Sequence, residues 1–165
     1  MAFAGRGRHG KLPRMPHREC RQQVVIDAPV DVVWGLVGDP NRHAEWWPTV
    51  VDAECDQLEQ GCRFRGVVLN PRGKQEEHTF ALERLDECHE VLIRCEEIGT
   101  YTRFVLTDAR GATFVDAEFG IDPRNLGMNV VSVVAGRRIL RRWLEQSIEA
   151  LQQAATSGAG TGPSA

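Results

Sequence analysis

The sequence predicts an α+β domain: a curved seven-stranded antiparallel sheet around one long C-terminal helix, with two short helices after the first strand. Three observations predict it. Six segments between residues 50 and 122 read as strands, several alternating apolar and polar side chains with period two, with short turns between them. One long stretch, from about Leu126 to Ala155, repeats its apolar residues with period 3.6. Ahead of both, a single strand runs into two short helical segments. At 165 residues the chain is one domain long, enough to bury about 70% of its unfolded surface.

Residues 21–28 predict the first strand, with Val24 and Ile26 on one face. Pro29 suits a first helical turn, where its missing N–H costs nothing, and Asp31 suits the positive end of the dipole. Val30, Val33, Trp34 and Val37 then recur at helical spacing to about Gly38. Asp39-Pro40 repeats the start signal, an N-cap followed by proline, and opens a second short helix through Trp47 that Pro48 ends. The next strands are predicted over 50–58, 62–70, 75–86, 89–98, 101–109 and 112–122. Turn residues such as Gly61, Pro71-Arg-Gly73, Gly99 and Arg110-Gly111 separate them. Connections this short pair consecutive strands as hairpins. In the final helix Val130, Val133, Gly136, Leu140, Trp143, Leu144, Ile148 and Leu151 form one stripe, the only apolar face available to cover the sheet.

Charge excludes some classes. The net charge is −3 and the pI about 6.0, which disfavours a specific nucleic-acid binder. Residues 1–18 carry five basic side chains and no acid, leaving 15 basic against 23 acidic residues beyond them. This tail is expected to be a solvated, disordered leader, residues 19–155 the folded domain, and 156–165 a flexible end. No apolar run approaches the ~18 residues of a membrane span, and no apolar segment follows the basic N-terminus as in an export signal. A cytoplasmic protein is expected. The five cysteines include no C-x-x-C, so free thiols in a reducing compartment are the natural reading. Cys88-His89 with His78 nearby matches no common zinc-ligand spacing, and neither metal nor cofactor is expected. P-loop, dinucleotide and G-x-S-x-G motifs are missing from the sequence.

Several stretches resemble one family. They are Val24-Val-Ile-Asp-Ala-Pro-Val-Asp-Val-Val-Trp34, Asp39-Pro-Asn-Arg-His-Ala-Glu-Trp-Trp-Pro48, Gly111-Ala-Thr-Phe-Val115 and Arg142-Trp-Leu-Glu-Gln-Ser-Ile-Glu-Ala-Leu151. With the element order, they resemble the START-like (SRPBCC) superfamily over residues 20–155, in its bacterial polyketide cyclase/dehydrase and lipid-transport branch. The resemblance implies a helix-grip fold with a deep hydrophobic cavity between sheet and helix. It implies binding of lipids, polyketides or other apolar molecules, and in some members cyclisation or dehydration of a polyketide. Fold alone does not fix which.

Inward strand positions supply the candidate cavity wall: Phe64 and Val68, Phe80 and Leu82, Val91 and Ile93, Phe104 and Leu106, Val115 and Phe119. The helix adds Val130 and Val133. Adjacent Trp46 and Trp47 are expected to point apart, one inward and one near the cavity rim. Arg137 falls roughly 60° from Leu140 within the apolar stripe, where it would anchor an acidic head group or pair with an acid such as Glu97. His78, in phase with Phe80 and Leu82, is the candidate acid/base beside Glu76 or Glu77. His43 is expected to be exposed. The leading reading is a carrier of a small hydrophobic molecule, monomeric or homodimeric, with the 122–129 loop and the Pro71–Gly73 hairpin as gates. The alternatives are a polyketide cyclase/aromatase or dehydratase using the same cavity, and an accessory module that binds a protein partner.

Overall fold

The structure, a computed structural model, describes residues 18–121 and 130–158. Its elements follow the predicted order. Strand β1 (Arg18–Ile26) leads into helix α1 (Val30–Val37), a 3-10 turn (Pro40–Arg42) and the single turn α2 (His43–Trp46). Strands β2 (Val50–Glu54), β3 (Arg63–Leu69), β4 (Gln75–Asp86), β5 (Glu90–Cys95), β6 (Thr100–Asp108) and β7 (Thr113–Ile121) come next, then helix α3 (Val130–Gly158). All seven strands form one antiparallel sheet in the order β1-β7-β6-β5-β4-β3-β2. The meander of β2 to β7 follows from the short hairpins; β1 joins its far edge beside β7.

Local chemistry explains the boundaries. Asp39 caps the 3-10 turn by accepting from Asn41 N at 3.0 Å, with Pro40 at the first position. The same Asn41 side chain takes both backbone groups of Cys55, accepting from its N–H at 2.9 Å and donating to its carbonyl at 3.1 Å. That capture stops the ladder, so β2 ends at Glu54 and not at the predicted residue 58. At the other end of the chain, helix α3 runs to Gly158, three residues into the predicted flexible end. Thr156 Oγ1 donates back to Gln152 O at 2.8 Å there. The predicted helix start at Leu126, the 122–129 gate and the N-terminal tail up to residue 17 lie outside the described residues.

The concave face of the sheet is packed on one half and hollow on the other. On the packed half Ile26, Val33, Val37, Leu106, Val115 and Val91 are sealed against Leu144, Ile148, Leu151 and Ala155 of α3. Each large apolar side chain buried there contributes roughly 1.5–3 kcal/mol. The opposite half of the sheet lies beside the earlier turns of α3 and holds the site. No described helix is long and apolar enough to cross a membrane.

Candidate functional site

A cavity of about 290 Å³ lies between the sheet and α3, at the small end of the roughly 300–1,000 Å³ usual for ligand pockets. Its floor is aromatic. Phe64 and Phe80 stack at 5.5 Å and 19°, and Trp47 and Phe119 lie 5.6 Å apart. Gly136, Ile139, Leu140 and Trp143 of α3 form the roof. Leu69 at the end of β3, Asn70 and Pro71 of the β3–β4 turn and Ile98 of the β5–β6 turn also line it.

Gly66 makes room for this floor. A Cβ there would sit 2.7 Å from the Phe80 ring, which Phe64 backs. Replacing Gly66 with Val is therefore expected to push Phe80 into the hollow and cost about 1–3 kcal/mol. Urea unfolding measures the cost, and titration with the apolar dye anilinonaphthalene sulfonate measures the volume lost. Unchanged dye binding would mean that the ring yields elsewhere.

Of the residues read from sequence, Trp47, Phe64, Val68, Phe80, Ile93, Phe119 and His78 line the cavity. Trp46, Leu82, Val91, Phe104, Leu106 and Val115 do not: they are core, at most 6% exposed. Period two assigns a face, but it does not say how far along the strand the hollow extends. Val130 and Val133 belong to α3, and their side chains lie outside the described residues. Arg137 is exposed and is not among the residues that line the cavity. Its direction on the helix is buried further along α3. At this level it lies by β1, whose Cys20 Sγ is 3.7 Å from the Arg137 carbonyl, and the long side chain reaches water.

The tryptophans also differ from expectation. Their rings stack at 5.2 Å and 17° because α2 ends at Trp46 and Trp47 is already extended, at ψ 112°. Trp46 Nε1 donates to Leu36 O at 2.9 Å. Trp47 Nε1 is buried with no hydrogen-bond partner among the described residues. His43, expected to be exposed, is buried against both rings at 6.0 and 5.2 Å. Its Nε2–H donates to Val37 O at 3.0 Å, and burial pulls its pKa down to about 4.

One end of the cavity is polar, and the sequence showed only part of it. His78 Nε2 is 3.6 Å from Glu76 Oε2, and its Nδ1 is 3.8 Å from Glu97 Oε2. Asn70 Nδ2 donates to Glu76 Oε1 at 2.8 Å, and this bond, with His78 alongside, holds the Glu76 carboxyl below the usual carboxylate range. Cys95 lies in the wall nearby, its thiol pushed up by burial. Asn70, Cys95 and the roof residues Ile139 and Trp143 are site residues that sequence reasoning missed. The apolar stripe carried a signal for Trp143, and the strand phase one for Cys95.

A sheet gripping one helix over an apolar hollow defines a helix-grip protein of the START type. Residues 17–158 match the family described as polyketide cyclase / dehydrase and lipid transport, and the chain belongs to that family, whose fold is suited to hydrophobic ligands. Among solved structures, a protein from Arthrobacter aurescens is similar at TM-score 0.65 and 15% identity, over 84% of this chain and 86% of that one. A START superfamily protein from Mycobacterium smegmatis matches at TM-score 0.61 and 13% identity, over 87% and 97%. The di-domain ARO/CYC StfQ of the steffimycin biosynthetic pathway matches at TM-score 0.66 and 15% identity, over 88% of this chain and 53% of its own. A search of curated proteins gave no match.

Proposed function

We propose that the chain binds and carries a small hydrophobic molecule bearing a hydrogen-bond acceptor. The observation that carries this reading is a largely apolar cavity with Trp47 in its wall, whose buried Nε1–H has no hydrogen-bond partner among the described residues. A buried donor without a partner costs about 1–3 kcal/mol, and a carbonyl or hydroxyl oxygen on the ligand would remove that cost. The volume fits a molecule of a few rings or one chain better than a two-chain lipid. Family membership and the likeness to START proteins support the reading.

Native mass spectrometry of the protein from its own host tests it. The expected result is a bound mass of a few hundred daltons in 1:1 ratio. Trp47→Phe is then expected to weaken an acceptor-bearing ligand about 5- to 10-fold, the worth of one hydrogen bond, while its hydrocarbon analogue binds as before. A clean apo mass, with no thermal shift from a panel of lipids and aromatic polyketides, would refute the carrier.

A second reading, a polyketide cyclase or dehydratase, has one observation in its favour. His78 lines the cavity between two carboxylates at 3.6 and 3.8 Å, a position suited to general acid–base work, and the similar StfQ is described as an ARO/CYC protein. Turnover of a precursor of the recovered ligand, abolished by His78→Ala, separates it from a carrier. The interaction-module reading has no comparable support among the described residues, whose exposed large apolar side chains Val25, Val51, Leu58 and Ile98 fall on four different segments.

A further inference from the structure

Three metal-ligating side chains converge in the polar end of the cavity. His78 comes from β4, Cys95 from the end of β5, and Glu97 from the turn that follows. Their donor atoms all lie within 4.8 Å of one another. Glu97 Oε2 is 3.5 Å from Cys95 Sγ and 3.8 Å from His78 Nδ1. A tetrahedral zinc with bonds of about 2.0–2.3 Å holds its N, O and S ligands roughly 3.3–3.6 Å apart. Small side-chain shifts would close the set around an ion.

The surroundings are those of a ligand site. A ligating histidine usually donates its second ring N–H to a carboxylate. The second nitrogen here, His78 Nε2, is buried without a hydrogen bond among the described residues, with Glu76 Oε2 3.6 Å away. Glu97 is fixed from behind by the Thr79 backbone N–H, which reaches its two oxygens at 3.0 and 3.1 Å. The turn carrying Glu97 closes through Gly99 N–H to Cys95 O at 2.9 Å, with Gly99 at φ 76°, where glycine is favoured. His78 and Cys95 both line the cavity.

We propose that His78 Nδ1, Cys95 Sγ and Glu97 Oε2 form a zinc site in the cavity wall, with the fourth coordination position open to the cavity. A thiolate, an imidazole and a carboxylate together suit zinc, whereas magnesium and calcium take oxygen ligands. On binding, the Cys95 thiol gives its proton to solvent and its sulfur lone pair makes the Zn–S bond. Sequence alone predicts no metal, because the ligands form no local motif. They meet through the β4–β5 register, which sets Phe80 opposite Cys95 and so brings Glu97 alongside His78. This inference is separate from ligand carriage, since metal uptake is read with no organic molecule present.

Titration of the purified full chain with cobalt(II) tests it. Wild type is expected to take one equivalent and show the near-ultraviolet sulfur-to-cobalt charge-transfer band, which one equivalent of zinc then removes. Cys95→Ser is expected to abolish the band, with circular dichroism confirming that it folds. Glu97→Gln, altered on a half-exposed turn, keeps the test valid should Cys95→Ser fail to fold, and is expected to weaken binding at least tenfold. The double variant Cys55→Ser/Cys62→Ser controls for the other thiol pair, whose sulfurs are 3.4 Å apart, and is expected to retain the band. No band in wild type, a band surviving Cys95→Ser, a band lost in the double variant, or wild-type affinity in Glu97→Gln would each overturn the site.

Discussion

Phe104→Ala is expected to cost about 3–5 kcal/mol in urea unfolding, among the largest losses of any single truncation in the chain. Phe104 is 1% exposed and lies under the cavity without lining it. Its ring meets Trp46 at 6.2 Å, Trp47 at 5.9 Å and Phe119 at 6.2 Å, all near edge-to-face. Such pairs contribute roughly 0.5–1.5 kcal/mol each beyond the area they bury. Its removal takes away the support of two residues that line the cavity, Trp47 and Phe119, so loss of dye binding should accompany the loss of stability. In a domain of this size the melting temperature should fall on the order of 10 °C. Phe119→Ala provides the contrast: it enlarges a hollow that already exists. A Phe104→Ala loss below about 1 kcal/mol would mean that the aromatic layer relaxes freely, against the dense packing of protein interiors.

The parts of this fold that sequence reveals are those fixed by neighbours in the chain. The period-two segments, the Asp39-Pro40 start and the long 3.6-period stripe each encode an element, because side-chain direction repeats with the backbone. What stayed hidden depends on residues far apart. Nothing near Cys55 announces that Asn41 will take its backbone groups and end β2. Arg137 sits correctly on the apolar stripe, yet is exposed. Phe104 and Phe80 carry the same local pattern, but one is core and the other wall; the difference lies in where the roof of α3 stands over the strand. The Cys95–Glu97 pair joins His78 only through sheet register, which a slip of one residue would undo. Trp46 and Trp47 stack because the backbone leaves the helix between them, a one-residue boundary that sequence patterns locate poorly.

His43 gives the second large effect, and its sign follows from burial. The folded protein holds the ring neutral with a pKa of about 4, against 6.5 ordinarily, chiefly because the site is apolar. The Val37 carbonyl and Asp39 oppose that shift without reversing it. Above about pH 6.5 both folded and unfolded chains keep the imidazole neutral, so it contributes no pH dependence there. Between about pH 6.5 and 4 only the unfolded chain takes up the proton, and stability falls as pH falls, by about 1.4 kcal/mol per unit. The total approaches roughly 3 kcal/mol at pH 4. Carboxylates titrate toward the same end, so the measurement is a difference: urea unfolding of wild type and His43→Gln at pH 7, 5.5 and 4. The variant is expected to be the less stable at pH 7, having lost the fit against the two tryptophans, and to lose about 3 kcal/mol less on acidification. Parallel curves for the two proteins would show that the His43 ring takes up its proton as readily folded as unfolded, and would contradict its burial in the cavity wall.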